Sequence, residues 1–534
     1  MRCPLRPATP MERPASACSL ASKLTPVLFR VGLVAQLRSK RFSGQAVGIM
    51  ITASHNPEQD NGVKIVDPLG DMLEPAWESH ATAVANARGP QELAAALQKL
   101  VQAGKVDLKQ PARVIYAHDT RPSCPELVQA LEASFQASTG SAPTTINAGL
   151  QTTPILHYLT RTHNDPSYGQ PTEHGYYDKL ASAFKTLNDT VPPLKGQLYV
   201  DCANGVGAPK LKSFIQALGS GAGLDIQVTH DDTKTPGALN SQCGADFVKT
   251  QQKAPPAVSL PEATGASEDP RFCSFDGDAD RLIYYYANKS GHFKLLDGDK
   301  IATLAASFLG ALVQTAGLSD QLKLGVVQTA YANGSSTSYI EKTLRLPITV
   351  TATGVKHLHH AAQANFDIGV YFEANGHGTV LFSPNALECF ENHTPTSPVQ
   401  DTALQQLKAA KDLINQTVGD ALSDMLLVET VLRHKAWSAA EWDVSYTDLP
   451  NRLLKCNVQD RTLFETTDAE RRLTKPEGLQ DKIEELVNKY PQGRSFVRPS
   501  GTEDCVRVYA EAGARGDCED LATKVAHLVE SLYG

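Results

Sequence analysis

Cysteine pairs are missing where they would matter. The 10 Cys are scattered, with no C-x-x-C spacing, so neither a zinc site nor a disulfide framework is indicated. A reducing, cytosolic setting fits such a chain. No apolar run reaches the length of a membrane span, so no membrane partner is expected. A basic excess is missing too: Lys and Arg total 50 against 58 Asp and Glu, a formal net charge of -8. Nucleic-acid-binding domains are usually basic, so no nucleic-acid partner is expected. A small anionic substrate fits only where basic residues gather locally.

What is present is a large soluble chain. Its 534 residues suggest three or four domains. At 41% hydrophobic and 20% charged it can bury large cores. Residues 1–23 carry Arg2, Arg6, Arg13 and Lys23 against Glu12, the charge of a transit peptide. Prolines at 4, 7, 10 and 14 spoil the amphipathic helix such a signal needs, so residues 1–23 read as a disordered or misassigned N-terminus.

The chemistry starts at Ile51-Thr52-Ala53-Ser54-His55-Asn56-Pro57. The apolar run Val47–Ile51 reads as a buried strand, and Asn56-Pro57 marks a turn. Ser54 therefore lies at a strand end, where α/β proteins place their reacting groups. His55 follows it and Lys64 lies ten residues on: a hydroxyl nucleophile with acid/base helpers, or an ordinary polar loop.

Leu24 to Lys40 has helical apolar spacing, and Pro75 to Val101 reads as one Ala-rich helix. Val114 to Ala117 is a short strand closed by His118-Asp119-Thr120-Arg121-Pro122-Ser123, with a helix over 125–136. Thr160 to Gly175 is a polar insertion, and Pro192-Pro193 suits a linker. Leu198–Asp201 is a strand turning through Gly205 and Gly207. That G-x-G lacks the third glycine of a dinucleotide fingerprint, and a tight strand-helix turn is favoured. Further strands are expected at 282–286, 325–327, 368–372 and 506–511. The last helix is expected to bury Leu521, Val525, Leu528, Val529 and Leu532. These are β-loop-α units in parallel or mixed sheets.

Three more stretches carry chemistry. Asp276, Asp278 and Asp280 alternate in one short loop. Two carboxylates about 5 Å apart repel by roughly 3 kcal/mol at an effective dielectric of 20, so three of them want a cation. All-oxygen ligands suit Mg²⁺. The alternatives are a solvated acidic turn or an aspartyl-phosphatase nucleophile. An EF-hand fails, because its Gly and Glu positions hold Arg281 and Ala287. Arg498-Pro499-Ser500-Gly501-Thr502 offers a guanidinium, hydroxyls and freed backbone N–H groups for a phosphate, with Arg507 on the next strand. Glu373-Ala374-Asn375-Gly376-His377-Gly378 presents a carboxylate, an amide and an imidazole in one turn, groups that bind sugar hydroxyls.

Together these four loops resemble the α-D-phosphohexomutase superfamily, from about Leu24 to the chain's end. Asn375, where hexose mutases usually carry Ser, resembles the acetylglucosamine branch, as do Val200–Gly207 and Leu449-Pro450-Asn451-Arg452. The resemblance implies an α/β four-domain architecture: three related mixed-sheet domains (24–190, 191–296, 297–432) and a smaller α+β domain (433–534) around a central cleft. It implies a phosphorylated Ser54, with Mg²⁺ held by that group and Asp276, Asp278 and Asp280. The sugar would be bound by Glu373, Ala374 and Asn375. Its non-reacting phosphate would be bound by Arg498, Pro499, Ser500, Gly501, Thr502 and Arg507.

Protons would pass through Lys64 and His377, which match family positions, or His55. The implied reaction interconverts N-acetylglucosamine 6-phosphate and 1-phosphate through a bisphosphate, which also primes the enzyme. A mutase for plain hexose phosphates, or a weakly active or non-catalytic paralogue, are the alternatives. The family normally begins with Tyr-Gly-Thr-Ala-Gly-Phe-Arg. Residues 1–24 contain nothing like it, which points to a truncated gene model or, if the chain is as written, low or absent activity. Oligomeric state is not legible.

Overall fold

The strand Ala46–Ile51 is buried along its whole length, and its side chains alternate between two cores. Val47, Ile49 and Ile51 join Leu28, Val31 and Val34 of the helix Thr25–Arg41 on one face. Ala46 and Met50 join Ile115, Ala117 and Leu156 on the other. A strand covered on both faces needs apolar residues at every position, which explains the unbroken apolar run. Its sheet has the order Val63–Val66, Ala46–Ile51, Arg113–His118, Thr144–Leu150. The first pairing is antiparallel and the other two are parallel.

The computed structural model describes residues 19–137, 142–265, 269–500 and 505–534. They form two compact units. The first unit takes the chain up to Leu295 and the later segment Asp412–Leu426. Besides the first sheet it contains a five-stranded sheet ordered Phe293–Leu296, Leu282–Ala287, Arg271–Phe275, Leu198–Asp201, Ile226–Thr229. The returning segment is held by buried polar contacts: Tyr176 donates to Asp420 at 2.7 Å, and the Gln416 N–H donates to the Tyr168 hydroxyl at 3.1 Å.

The second unit takes Leu296–Lys411 and Leu427–Gly534. It contains a four-stranded sheet ordered Ile348–Thr351, Leu324–Thr329, Ile368–Phe372, Gly378–Phe382. It also contains an antiparallel sheet ordered Asn451–Asn457, Cys505–Glu511, Arg494–Pro499. The helix Arg515–Tyr533 covers this last sheet. Three mixed sheets and one small antiparallel sheet match the expected architecture. Among the described residues no helix is long and apolar enough to cross a membrane.

Several local expectations are corrected. Residues 19–23 are structured rather than disordered: Ser19–Leu20 pairs with Asp60–Asn61, and Ala21–Lys23 is a helical turn. Residues 1–18 lie outside the described residues. The single helix over 75–101 is two, Pro75–Ala85 and Pro90–Ala103, because a proline disfavours helical backbone in the residue before it. The polar insertion shrinks to 165–172, since helices Thr153–Asn164 and Glu173–Asn188 close in from both sides. Leu532, at 47% exposed, lies off the buried face of its helix.

Candidate active site

Each of the four loops joins two antiparallel neighbours rather than a strand and a helix. The Ser54 loop leads from Ala46–Ile51 to Val63–Val66, and the Asp loop from Arg271–Phe275 to Leu282–Ala287. The Glu373 loop leads from Ile368–Phe372 to Gly378–Phe382, and the Arg498 loop from Arg494–Pro499 to Cys505–Glu511.

Ser54 sits in left-handed backbone at φ 50°, a conformation that a side-chain-bearing residue keeps only when its surroundings hold it. Its N–H donates to Thr52 Oγ1 at 3.0 Å. Its Oγ donates to Asp276 Oδ2 at 2.6 Å, and His55 Nδ1 lies 3.5 Å from the same Oγ. The serine loop and the acidic loop, 222 positions apart in the chain, therefore meet at the Ser54 hydroxyl.

The acidic loop folds around its first carboxylate. Asp276 Oδ1 accepts the backbone N–H groups of Asp280 and Arg281 at 3.0 and 3.1 Å. Asp278 Oδ2 accepts Thr153 Oγ1 at 2.6 Å, and Lys64 Nζ donates to Asp278 and Asp280 at 3.0 Å each. Gly205 and Gly207 serve this loop. A Cβ on Gly205 would lie 2.3 Å from the Gly277 carbonyl, and one on Gly207 would lie 3.2 Å from Ala279 Cβ. The G-x-G pair thus lets a strand-helix turn press against the acidic loop.

Burial raises the Asp276 pKa well above the carboxylate range. The neighbouring Asp280 and Asp278 add to this, against Arg281 and the Ser54 hydrogen bond. Burial alone would lower the Lys64 pKa, but Asp278 and Asp280 outweigh it and the net shift is upward. His55 is lowered to about 4, by burial first and then by Arg281.

The three acidic residues are buried, and their ligand oxygens lie within 4.8 Å of one another. Asp278 Oδ1 is buried without a hydrogen-bond donor. Crowded, desolvated carboxylate oxygens, one of them unsatisfied, fit a hard divalent cation.

In the second unit, Glu373, Ala374, Asn375 and His377 share one tight turn. The Glu373 N–H donates to the His377 carbonyl at 2.8 Å, and the His377 N–H donates to Asn375 Oδ1 at 3.0 Å. Glu373 and Asn375 are half-buried, with Asn375 Nδ2 3.5 Å from Glu373 Oε2. Gly298 permits the turn's close seat, since a Cβ there would lie 1.9 Å from the Glu373 carbonyl.

Arg498 donates to Tyr331 Oη at 2.9 Å and to Glu470 at 3.2 Å. The Ser500 N–H, just beyond Pro499, donates to the Cys505 carbonyl. Gly501 and Thr502 lie outside the described residues. Arg507 is the cross-strand partner of both Arg498 and Lys455, which lines up three cations across the sheet.

The candidates thus gather as two sets. Ser54, His55, Lys64 and the three Asp lie together in the first unit; the Glu373 turn and the Arg498 loop lie in the second. The sequence reading missed Arg281, whose Nε lies 3.7 Å from Asp276 Oδ2. It also missed Thr153 and Lys455. Arg281 had a signal, its place directly after the acidic loop; Lys455 becomes visible only once strand register is known.

Family models place this fold and site in the phosphohexomutase class. The phosphoglucomutase/phosphomannomutase alpha/beta/alpha domain I matches residues 34–92, and the C-terminal domain matches 453–528. Between them, domains II and III of phosphoacetylglucosamine mutase AMG1 match residues 168–283 and 297–437. Phosphoacetylglucosamine mutase of Candida albicans is 50% identical, covering 96% of this chain and 94% of its own. The structure of Aspergillus fumigatus N-acetylphosphoglucosamine mutase in complex with GlcNAc-6P and magnesium is 53% identical. It superposes with a TM-score of 0.91 over 96% of this chain and 94% of that one. A second structure of the Aspergillus fumigatus enzyme, with glucose 1,6-bisphosphate, is 51% identical, with a TM-score of 0.92 over 99% of this chain and 97% of that one. The chain belongs to the phosphoacetylglucosamine mutase family.

Proposed function

We propose that the chain interconverts N-acetylglucosamine 6-phosphate and N-acetylglucosamine 1-phosphate, through a phosphoserine at Ser54 and a sugar bisphosphate. The observation that carries this is the 2.6 Å contact between Ser54 Oγ and the first carboxylate of the buried acidic loop. Phosphoryl transfer needs in-line positioning and neutralised charge more than covalent chemistry. A phosphoserine brings close to -2 charge. Asp276, Asp278, Asp280 and the phosphoserine would hold Mg²⁺, which when bound offsets charge on the transferring group.

In the first half-reaction the bond between Ser54 Oγ and phosphorus breaks as a sugar hydroxyl oxygen bonds to phosphorus. The hydroxyl proton passes to a base. His55, neutral above about pH 4, and His377 are the candidates for that base; Lys64, which Asp278 and Asp280 keep protonated, is a candidate proton donor only. The bisphosphate then presents its other phosphate: a bond from Ser54 Oγ to that phosphorus forms as the phosphorus–sugar oxygen bond breaks, the serine hydroxyl gives up its proton and the released sugar oxygen takes one up. Glu373, Ala374 and Asn375 would hold the sugar in both orientations. Arg498, Pro499, Ser500, Gly501, Thr502 and Arg507 would grip the non-reacting phosphate. Domain limits of 24–190, 191–296, 297–432 and 433–534 accord with one loop per sheet. The product would feed UDP-N-acetylglucosamine synthesis in the cytoplasm.

The test supplies either sugar phosphate with Mg²⁺ and a trace of bisphosphate. The expected result is interconversion, abolished in Ser54→Ala and by chelation, with intact mass showing one phosphate on the resting protein that leaves on adding substrate. Folded protein with no turnover and no Ser54 phosphate ends the proposal. A higher kcat/KM for plain hexose phosphates would overturn the choice of substrate.

A further inference from the structure

The loop that carries Ser54 is gripped by its backbone from two directions. Arg121 has a fully buried side chain, and its donors are all spent. Its Nε donates to Asp119 Oδ2 at 3.0 Å. Its Nη1 donates to the carbonyls of Pro57 and Asp60 at 2.6 and 2.9 Å. Its Nη2 donates to the carbonyls of Ser54 and Asn56 at 3.0 and 2.9 Å. Asp119 is fixed in turn by Thr52 Oγ1 at 2.7 Å and by the Arg121 N–H at 2.9 Å. From the neighbouring sheet's loops, Asn240 Nδ2 donates to the same Ser54 and Asn56 carbonyls, at 2.9 and 3.0 Å.

We infer that Arg121, seconded by Asn240, is the positioning residue that holds Ser54 on line for phosphoryl transfer. The inference rests on the phosphoserine reading given above. Ser54 occupies left-handed backbone, which relaxes unless the surroundings enforce it. Apart from the Arg121 Nε bond to Asp119, every bond of the clamp goes to a carbonyl of the loop, and none goes to Ser54 Oγ. The grip is therefore the same whether Oγ is free or esterified, as a group that both gives and recovers a phosphoryl requires. A lysine cannot replace the planar fork, because three donors on one point cannot span four carbonyls and a carboxylate. Neither residue touches the reacting atoms.

The test uses the full chain as wild type, Arg121→Lys and Asn240→Ala. Each is loaded at Ser54 with bisphosphate, checked by intact mass, and followed in single-turnover transfer to the sugar phosphate, with melting measured alongside. A loop misplaced by an ångström loses on the order of 100-fold. Arg121→Lys should therefore transfer about 100-fold more slowly and Asn240→Ala about 10-fold, with KM within about threefold of wild type. Transfer rates per folded, phosphorylated molecule that match wild type, even with lowered melting points, overturn the inference. Should Arg121→Lys fail to fold, Asn240→Ala decides alone, and an unchanged rate in it overturns the inference. Wild type without Ser54 phosphate sinks the phosphoserine reading itself, an outcome the variants cannot mimic.

Discussion

Gly277→Ala tests how closely the serine and acidic loops must approach. A Cβ at Gly277 would lie 2.5 Å from the Ser54 carbonyl oxygen and 2.9 Å from Asn240 Nδ2, where ordinary contact begins at 3.4 Å. Gly277 lies outside the left-handed region, so alanine brings its methyl group and no backbone penalty. The nearest atom is backbone, already bonded to Arg121 and Asn240, and cannot swing aside as a side chain would. The two loops must separate by about 0.9 Å to restore ordinary contact. A shift of that size ends the 2.6 Å bond between Ser54 Oγ and Asp276. Overpacking costs about 1–3 kcal/mol of stability, and misplacement of this order costs about 100-fold in rate.

Steady-state kinetics should therefore show kcat down by about 30- to 100-fold, with KM for the sugar phosphate little changed. Gly310→Ala is the control. Its Cβ meets nothing within 4 Å, and replacing a mid-helix glycine stabilises by about 0.5–1 kcal/mol with no change in turnover. A Gly277→Ala enzyme turning over within about threefold of wild type refutes the reasoning.

Two further outcomes are expected. Arg494 pairs with Glu511 at 2.9 and 3.0 Å and donates to the carbonyls of Ala330 and Ala332 at 2.8 and 2.6 Å. Arg494→Met leaves Glu511, only 2% exposed, without its cation and, among the described residues, with only the Tyr509 hydroxyl and the Gly334 N–H as donors, and should cost about 3 kcal/mol in urea denaturation; a loss below about 1 kcal/mol contradicts this. His359, 4% exposed, has its pKa lowered to about 4, by burial first and then by His360. Its unfolded form binds the proton first, so stability is lost as pH falls from 6.5 to about 4, by at most about 3 kcal/mol. His359→Gln should flatten that acid limb, and an unchanged slope would show that His359 protonates as easily folded as unfolded.

The candidate site groups were legible because the proposed chemistry needs each loop's groups contiguous. Three alternating aspartates, or Arg-Pro-Ser-Gly-Thr, cannot be dispersed and still serve one ion or one phosphate. The strand Ala46–Ile51 was legible for the same local reason, being apolar at every position. Hairpin connectivity was not. Val63–Val66 is too short to show a period, and the sequence does not show that its Lys64 lies on a strand opposite Met50 with its Nζ on Asp278 and Asp280. Arg121 and Asn240 were hidden because they act on carbonyls 67 and 186 positions away. Every residue has a carbonyl, so such a contact leaves no mark in composition. The split at Pro90 had a clear signal, a glycine-proline pair, which the alanine-rich run on either side obscured.

The return of residues 412–426 to the first unit bears on how the enzyme can be dissected. A gene cut after position 295 would express two sheets but leave Tyr176 and Tyr168 facing solvent where Asp420, Asn415 and Gln416 belong. Limited truncation is therefore the wrong tool for isolating the serine-bearing half. Grafting the fifteen-residue stretch back through a short linker is the natural remedy.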